Sequence, residues 1–180
     1  RGLTMRLGVA LRRFAVPGIV TSLYHLLRSR AVVSPRAEVE LGGLLQIGRG
    51  AQVSSFVKIK ASEGPVRIGA RTDIGCGTFI GGHAHGIDIG ADCLISPHVS
   101  IVGVNYRYDR LDTPIRDQGY QSAGPTRIGN NVWIGAGAVI LDNSEIEDGA
   151  IITPNSVVSG KVPALAIVSG SPAKVLFIRR

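Results

Sequence analysis

The sequence is poor in the residues on which several protein classes depend. Of its 180 residues only two are cysteines, Cys76 and Cys93, and aromatic residues make up 5%. Two cysteines provide neither a disulfide framework nor the ligand spacing of a zinc site. No uninterrupted apolar run reaches the roughly 18 residues of a membrane-spanning helix, and no stretch has the pattern of a secretory signal peptide. We therefore expect a protein of a reducing, cytoplasmic compartment.

Acidic residues are absent from the first thirty positions. Residues 1–30 contain six arginines and no acid, which gives +6, whereas residues 31–180 contain 14 basic and 13 acidic residues, which gives +1. A nearly neutral body argues against a nucleic-acid groove along it. Apolar residues at 19, 20, 23, 26 and 27 share one helical face. We predict a basic amphipathic helical segment over 1–30, which caps the following domain or lies on the inner membrane surface; the two roles are compatible.

Glycine is abundant, at 24 residues, and aliphatic residues recur at a fixed interval. A period of six fits neither a heptad nor a 3.6-residue helix, but it fits a short strand followed by a tight corner. Three such units make an 18-residue triangular coil, and stacked coils pair as parallel strands about 4.8 Å apart. The spacing predicts an all-β fold, a parallel β-helix over residues 31–180 with aliphatic ladders inside. The repeat positions are Ile47, Val53, Ile59, Ile68, Ile74, Ile80, Ile89, Ile95, Ile101, Ile128, Ile134, Ile140, Ile146, Ile152 and Val158.

Three interruptions of the repeat fall at the same point of the coil. The gaps after Ile59 and Ile80 are nine residues, and the gap after Ile101 is 27 residues, so the insertions are of three, three and 21 residues. All three therefore leave from one corner, and the longest predicts a corner loop over 104–127. Because loops on a rigid scaffold commonly carry function, we expect the site at this corner; the alternative is that the insertions merely pack against one another.

Three stretches carry a family resemblance: Thr113-Pro114-Ile115 with Gln118-Gly119, Asn131 to Gly135, and Ile167 to Lys174. With the repeat, they resemble the hexapeptide-repeat acyltransferases, and among these the sugar O-acetyltransferases. The resemblance implies a left-handed β-helix, acetyl-CoA as co-substrate bound between the subunits of a homotrimer, and a saccharide acceptor, for example a surface-polysaccharide precursor. Separately, Ser171-Pro172 looks like an N-cap followed by proline and predicts a short C-terminal helix.

The resemblance departs from the family at the catalytic base. Tyr106 follows Asn105 where the sugar acetyltransferases carry a histidine, and a phenol, which ionises near pH 10, is a weak base at neutral pH. His83 and His85 lie in the insertion one coil below, and the segment from His83 to Gly90 is similar to the catalytic segment of serine acetyltransferases. Imidazole suits the removal of a hydroxyl proton near pH 7. We therefore take His83 as the first candidate base and His85 as the second, with Tyr106 as an orienting or acceptor-contacting hydroxyl.

The remaining site residues follow from the resemblance or from their exposure. Asn105, Asp109 and Trp133 are candidates for acceptor contacts, and no metal site is predicted. Two alternatives stay open: a non-catalytic scaffold or inactive homologue, motivated by Tyr106, and a γ-type carbonic anhydrase, which needs three converging histidines. The candidates for contacts with CoA are Gly135, Ala136, Ser159, Lys161, Lys174 and Arg180.

Overall fold

The computed structural model describes residues 16–180, so residues 1–15 of the predicted basic segment lie outside the described residues. Within residues 16–180, one α-helix, α1, spans Gly18–Ser29, and a 3-10 helix spans Ile115–Asp117. The strands are short, and they are β1 Val32–Val33, β2 Glu38–Val39, β3 Leu45–Ile47, β4 Gln52–Val53, β5 Lys58–Lys60, β6 Val66–Ile68, β7 Asp73–Ile74, β8 Phe79–Gly81, β9 Ile87–Ile89, β10 Leu94–Ile95, β11 Ser100–Val102, β12 Asn105–Tyr106, β13 Tyr120–Gln121, β14 Thr126–Ile128, β15 Trp133–Ile134, β16 Val139–Ile140, β17 Glu145–Ile146, β18 Ile151–Ile152, β19 Val157–Val158, β20 Lys161–Val162, β21 Ala166–Gly170 and β22 Ala173–Ile178.

The strands form a three-sided prism. Face A has the order β1-β4-β7-β10-β15-β18-β21-β22, face B contains β2, β5, β8, β11, β16 and β19, and face C contains β3, β6, β9, β14, β17 and β20. The chain visits the faces in the order A, B, C once per coil, and neighbouring coils pair in parallel. The fold is the predicted all-β parallel β-helix.

The core consists of aliphatic ladders inside the prism. All fifteen repeat positions predicted from the sequence are buried, with 7% exposure or less. Ile95, for example, lies in register between Ile74 and Ile134 on the adjacent coils. Burial of each such side chain contributes about 1.5–3 kcal/mol, so the ladders are the main source of stability. The ladders also extend to Val33 and Val39 before the predicted repeat and to Val162 and Val168 after it.

Two of the three corners of the prism are short and regular. At the corner between faces A and B, Gly77, His98 and Asn155 have positive φ on different coils, and the corner between faces C and A has the same feature at Arg71 and Asp92. The corner between faces B and C, which we call the B/C corner, differs. It carries the predicted insertions, which the structure places at 61–65, 82–86 and 103–125.

The last part of the chain is a strand, so the predicted C-terminal helix is wrong. β22 turns back and pairs antiparallel with β21, where Ser169 lies opposite Lys174. The physical reason is the exposed edge of face A. β21 pairs with β18 on one side only, and the apolar run from Val175 to Ile178, which contains strand-forming Val, Phe and Ile, pairs with its other edge. A Ser-Pro pair opens a turn as readily as a helix.

The helix α1 packs against the first coil beside β1. Its backbone ends at Arg30, which has φ 55° and donates its N–H to the carbonyls of His25 and Leu26. Of the residues the structure describes, none belongs to a helix that is both long and apolar enough to cross a bilayer.

Candidate functional site

The 103–125 loop is an ordered hairpin. β12 pairs antiparallel with β13, with Tyr106 opposite Tyr120. The Gln118 amide crosslinks the loop interior, since it accepts from the Arg110 N–H at 3.0 Å and donates to the carbonyls of Arg110 and Thr113 at 2.7 Å each. The loop base is held from the next coil, where Asp142 accepts the Ala123 N–H at 2.8 Å. The hairpin therefore presents its tyrosines from a defined backbone.

His83 lies at the base of this hairpin. Its side chain is 21% exposed, and its Nε2 lies 3.7 Å from Oε2 of Glu63, which belongs to the insertion one coil below. This distance is too long for a hydrogen bond but suits an ion pair once the imidazole is protonated. Nδ1 is buried and has no hydrogen-bond partner. Nε2 is thus the nitrogen that can exchange a proton with a substrate.

Two tyrosines extend the arrangement away from His83. The Tyr120 ring lies 5.7 Å from the His83 ring and 5.0 Å from the Tyr106 ring. Desolvation, followed by the proximity and hydrogen bonding of Tyr106 and the negative charge of Glu63, raises the pKa of Tyr120. Tyr120 therefore stays protonated and can donate a hydrogen bond. We call Glu63, His83, Tyr120 and Tyr106 the corner row.

A cavity of about 290 Å³ opens beside the corner row. Its lining includes Glu63, Tyr106 and Tyr120 from the row, with Phe79 and Lys60 from face B. The Lys60 ammonium lies 5.7 Å from the centre of the Phe79 ring. Aromatic rings beside polar groups suit a ligand that has both apolar C–H faces and hydroxyls.

The other histidines lie in different surroundings. His85 is exposed, and its Nδ1 is 3.0 Å from the Ser122 hydroxyl. His98 lies at the corner between faces A and B with φ 59°, and its ring covers Gly77. No cluster of three or more His, Cys, Asp or Glu residues able to hold a metal ion occurs within residues 16–180. The three converging histidines of a γ-type carbonic anhydrase are therefore not found there.

The predicted acceptor residues fall into two groups. Asn105 and Asp109 are exposed on the hairpin; Asn105 Oδ1 accepts the Tyr106 N–H at 3.0 Å, and Asp109 pairs with Arg107 at 3.1 Å. Trp133, by contrast, lies on face A, 45% exposed, with its indole N–H donated to the Ser96 hydroxyl at 3.2 Å. Face A is the side of the prism opposite the B/C corner. One chain therefore does not bring Trp133 and His83 together.

The predicted cofactor residues are also spread around the prism. Gly135 and Ala136 lie at the corner between faces A and B, directly after β15, and Ser159 lies at the B/C corner. Lys161 is on face C, where its ammonium pairs with Glu147 at 2.7 Å. Lys174 is exposed on β22, and Arg180 is exposed just beyond it. These six residues do not form one site within a single chain.

Sequence reasoning missed two members of the corner row, Glu63 and Tyr120. A signal for Glu63 was present in the sequence. The two insertions that contain Glu63 and His83 have equal length, and the strands on both sides of them pair in register, Lys60 with Gly81 and Val66 with Ile87. Residues of one insertion are therefore expected to lie directly below those of the other. For Tyr120 no such signal exists, since its position depends on how the 103–125 loop folds back.

Comparison with known proteins agrees with this architecture. The family model described as bacterial transferase hexapeptide (six repeats) matches residues 125–160. A protein of Mycobacterium tuberculosis H37Rv, provisionally named an acetyltransferase, is 33% identical over 132 residues, which are 73% of this chain and 43% of the relative. A protein of Escherichia coli K12, provisionally named a lipopolysaccharide-biosynthesis O-acetyltransferase, is 28% identical over 134 residues, 74% of this chain and 60% of the relative. The chain thus spans less than two thirds of the length of either relative.

Among solved structures, a mutant of the N-acyltransferase AntD from Bacillus cereus, in complex with dTDP and coenzyme A, superposes with a TM-score of 0.73. The match covers 83% of this chain and 82% of the other at 21% identity. At that identity the likeness concerns the fold.

Proposed function

Since the chain belongs to the hexapeptide-repeat acyltransferase family, we propose that it transfers an acetyl group from acetyl-CoA to a saccharide hydroxyl. The observation that carries the proposal is the position of His83 at the lengthened corner, between the Glu63 carboxylate and the Tyr120 ring. The provisional name of the E. coli relative supports a surface-polysaccharide precursor as the acceptor. The reaction needs a group that accepts a proton near neutral pH, and imidazole is that group.

In the proposed mechanism, His83 Nε2 removes the proton of the acceptor hydroxyl as its oxygen attacks the thioester carbonyl. The new C–O bond forms, the C–S bond breaks, and the proton passes from the imidazole to the leaving CoA sulfur. Glu63, 3.7 Å from Nε2, stabilises the imidazolium that exists between these two proton transfers. The backbone N–H groups of the glycine-rich coil are candidates to stabilise the oxyanion.

The cavity beside the corner row is the proposed acceptor site. Tyr106 and Tyr120 would pack on the C–H face of a sugar ring and donate hydrogen bonds to its hydroxyls. The side chains of Asn105 and Asp109, exposed on the same hairpin, extend this polar rim. Tyr106 thus acts as an acceptor-contacting hydroxyl, while His83 acts as the base.

The site is completed, in this proposal, by a second copy of the chain in a closed trimer. Face A exposes the apolar side chains of Leu94 and Trp133, at 56% and 45%, in register on adjacent coils. An exposed apolar pair of this kind suits burial against another subunit. A neighbour that packs through face A would bring its Trp133 and the nearby backbone of Gly135 and Ala136 to the B/C corner of the first chain.

Acetyl-CoA would then lie in the cleft between two subunits. Ser159 is at the same corner as the row, and the cations Lys161, Lys174 and Arg180 are candidates for its phosphates. Lys161 would have to leave its 2.7 Å ion pair with Glu147 to do so. Lys174 and Arg180 are therefore the stronger phosphate candidates.

The experiment that tests the base compares His83→Ala with His85→Ala, a matched change two residues away. CoA release from acetyl-CoA is followed with a panel of saccharides, and CoA binding is measured by calorimetry. We expect His83→Ala to lower the rate at least about 100-fold, the low end for general-base catalysis, with unchanged CoA affinity. His85→Ala should have little effect. Full activity of both variants would overturn the assignment.

The Tyr106→His variant tests whether His83 is the working base or whether Tyr106 has simply replaced the histidine that the family uses. If His83 is the working base, the added imidazole is neutral or harmful, and this is the outcome we expect. A large gain of activity toward simple sugars would mean that Tyr106 has only displaced the family base. A wild-type chain that neither binds CoA nor releases it would favour the non-catalytic scaffold.

The trimer has its own test. Light scattering should give about 57 kDa, three times the 18.9 kDa chain.

A second test asks whether each site combines His83 of one chain with Trp133 of the next. Inactive His83→Ala and inactive Trp133→Ala chains are mixed one to one and reassembled. About a quarter of the sites then receive both intact residues, so about a quarter of the wild-type activity should return. A monomer, or no recovery in reassembled trimers, would contradict a shared site.

A further inference from the structure

The helix α1 packs on the prism with its polar side. Its buried residues are Thr21 and His25, one turn apart and each 4% exposed. The opposite side holds the apolar face predicted from the sequence, and this face is directed away from the protein: Ile19 is 70%, Leu23 54% and Leu27 77% exposed. Amphipathic helices of globular domains normally have the reverse arrangement. The exposed face therefore needs an explanation outside the chain's own core.

Close contacts hold the helix in this orientation. The backbone of Gly18 approaches the Pro35 carbonyl so closely that a Cβ there would strike it. At the other end, the N–H of Ala31 donates to the His25 carbonyl at 3.3 Å as the chain enters β1. Because both ends are fixed, the helix cannot turn its leucines inward without losing these contacts.

The surroundings of the apolar face are cationic. A shallow groove of about 270 Å³ continues it between α1 and β1, with Leu26 and Val32 in its lining. Arg28 stacks 5.8 Å from the Tyr24 ring, and Arg30 follows at the helix end. Residues 1–30 carry six arginines and no acid.

We propose that the exposed face of α1 docks on an anionic lipid bilayer surface. An apolar helical face flanked by arginines is the chemistry of an interfacial helix, in which the leucines enter the headgroup boundary and the cations meet lipid phosphates. With 12 residues, α1 is about 18 Å long, too short for a hydrocarbon core of about 30 Å. A second copy is the weaker occupant, because two acid-free segments of charge +6 repel each other.

The experiment measures binding of the full chain to vesicles of phosphatidylglycerol and phosphatidylcholine, and to vesicles of phosphatidylcholine alone. We expect sedimentation with the anionic vesicles at low salt and release as the salt concentration approaches about 1 M, where the Debye length falls to about 3 Å. Leu23→Glu and Leu27→Glu should each weaken binding at least about tenfold, because each removes one leucine from the lipid boundary.

The matched control is Leu111→Glu, which places the same charge on a fully exposed leucine of the distant 103–125 loop; it should bind vesicles like the wild type. The proposal is overturned if the wild-type chain does not bind anionic vesicles, or if both α1 variants bind them unchanged. It is also overturned if light scattering shows that the α1 variants dissociate an assembly that forms without lipid, since a second copy would then cover the face. None of these outcomes depends on acyl transfer.

Discussion

Two corners of the same prism have opposite designs. The corner between faces A and B repeats one tight conformation on successive coils, and His98 fits it with a left-handed backbone and a ring over Gly77. The B/C corner receives equally regular strands but varies in length from coil to coil, and His83 there lies 3.7 Å from Glu63. Both histidines are exposed to some degree and lie on adjacent coils. What distinguishes them is whether the repeat determines the backbone around them.

The comparison shows that the regular corners stack on one another, whereas the proposed chemistry lies at the irregular corner. Because the repeated corners stack, a substitution in one corner alters its contacts with the coils above and below it. An insertion interrupts only its own coil, because strands pair in register on both sides of it, as Lys60 does with Gly81 and Val66 with Ile87. The B/C corner can therefore hold a catalytic arrangement without a cost to the ladders.

The largest expected effect is a loss of stability when a buried residue of the aliphatic ladders is truncated. Ile101 is fully buried in the ladder of face B, and Ile101→Ala should lower the free energy of unfolding by about 2–5 kcal/mol, through lost burial and the cavity it leaves. Leu111→Ala, at the exposed loop, should change it by about 0.5 kcal/mol or less. Urea denaturation of both variants measures the difference. Equal losses would mean that the loop is part of the cooperative core.

The next effect concerns the proposed catalytic site at the B/C corner. Glu63→Gln keeps the size of the side chain but removes the charge beside His83 Nε2. Because Glu63 is 66% exposed, solvent screens the interaction, and we expect a fall in kcat of about fivefold or less with little change in KM. Glu145→Gln, which removes a carboxylate from face C, is the control and should leave kcat unchanged. A rise in KM alone would instead make Glu63 an acceptor-binding group.

Much of the scaffold, but less of the site, is predictable from the sequence. The six-residue period predicted all fifteen ladder positions, since each buried isoleucine repeats the same environment. Val33 and Val39 were missed because the 40–44 corner breaks the spacing to Ile47. The insertions predicted that His83 lies near the loop, whereas Tyr120 depends on a hairpin that has no periodic signal.

The ends of the prism show a similar limit. Helical periodicity predicted the apolar face of α1 correctly but gave no information on which side packs, because close contacts at Gly18 and Ala31 decide that. At the other end, Ser171-Pro172 suggested a helix, yet the open edge of face A favours a strand.

A smaller effect is expected at the α1 end of the prism. Burial, and then the charge of Arg28, lowers the pKa of His25 from 6.5. Above pH 6.5, the ordinary pKa of histidine, His25 is neutral whether or not α1 is packed on the prism. Below pH 6.5, His25 is protonated more readily when α1 has come off the prism than when α1 is packed on it. The packing of α1 on the prism therefore weakens as the pH falls through this range. Hydrogen exchange should show α1 opening more at pH 5 than at pH 7.5. His25→Asn should lose this dependence, and His85→Ala should keep it.

The substitution with the smallest expected effect, His98→Asn, sharpens the comparison between the two histidines. His98→Asn should leave both activity and stability nearly unchanged, because asparagine tolerates a left-handed backbone, as Asn131 and Asn155 do in this chain at φ 54° and 57°. His98→Val should cost about 1–3 kcal/mol, since a β-branched residue is strained at φ 59°. Denaturation and CoA-release assays on both variants measure these outcomes. If His98→Asn lowered the rate as strongly as His83→Ala, the regular corner would carry chemistry too, and the separation between the two corners would fail.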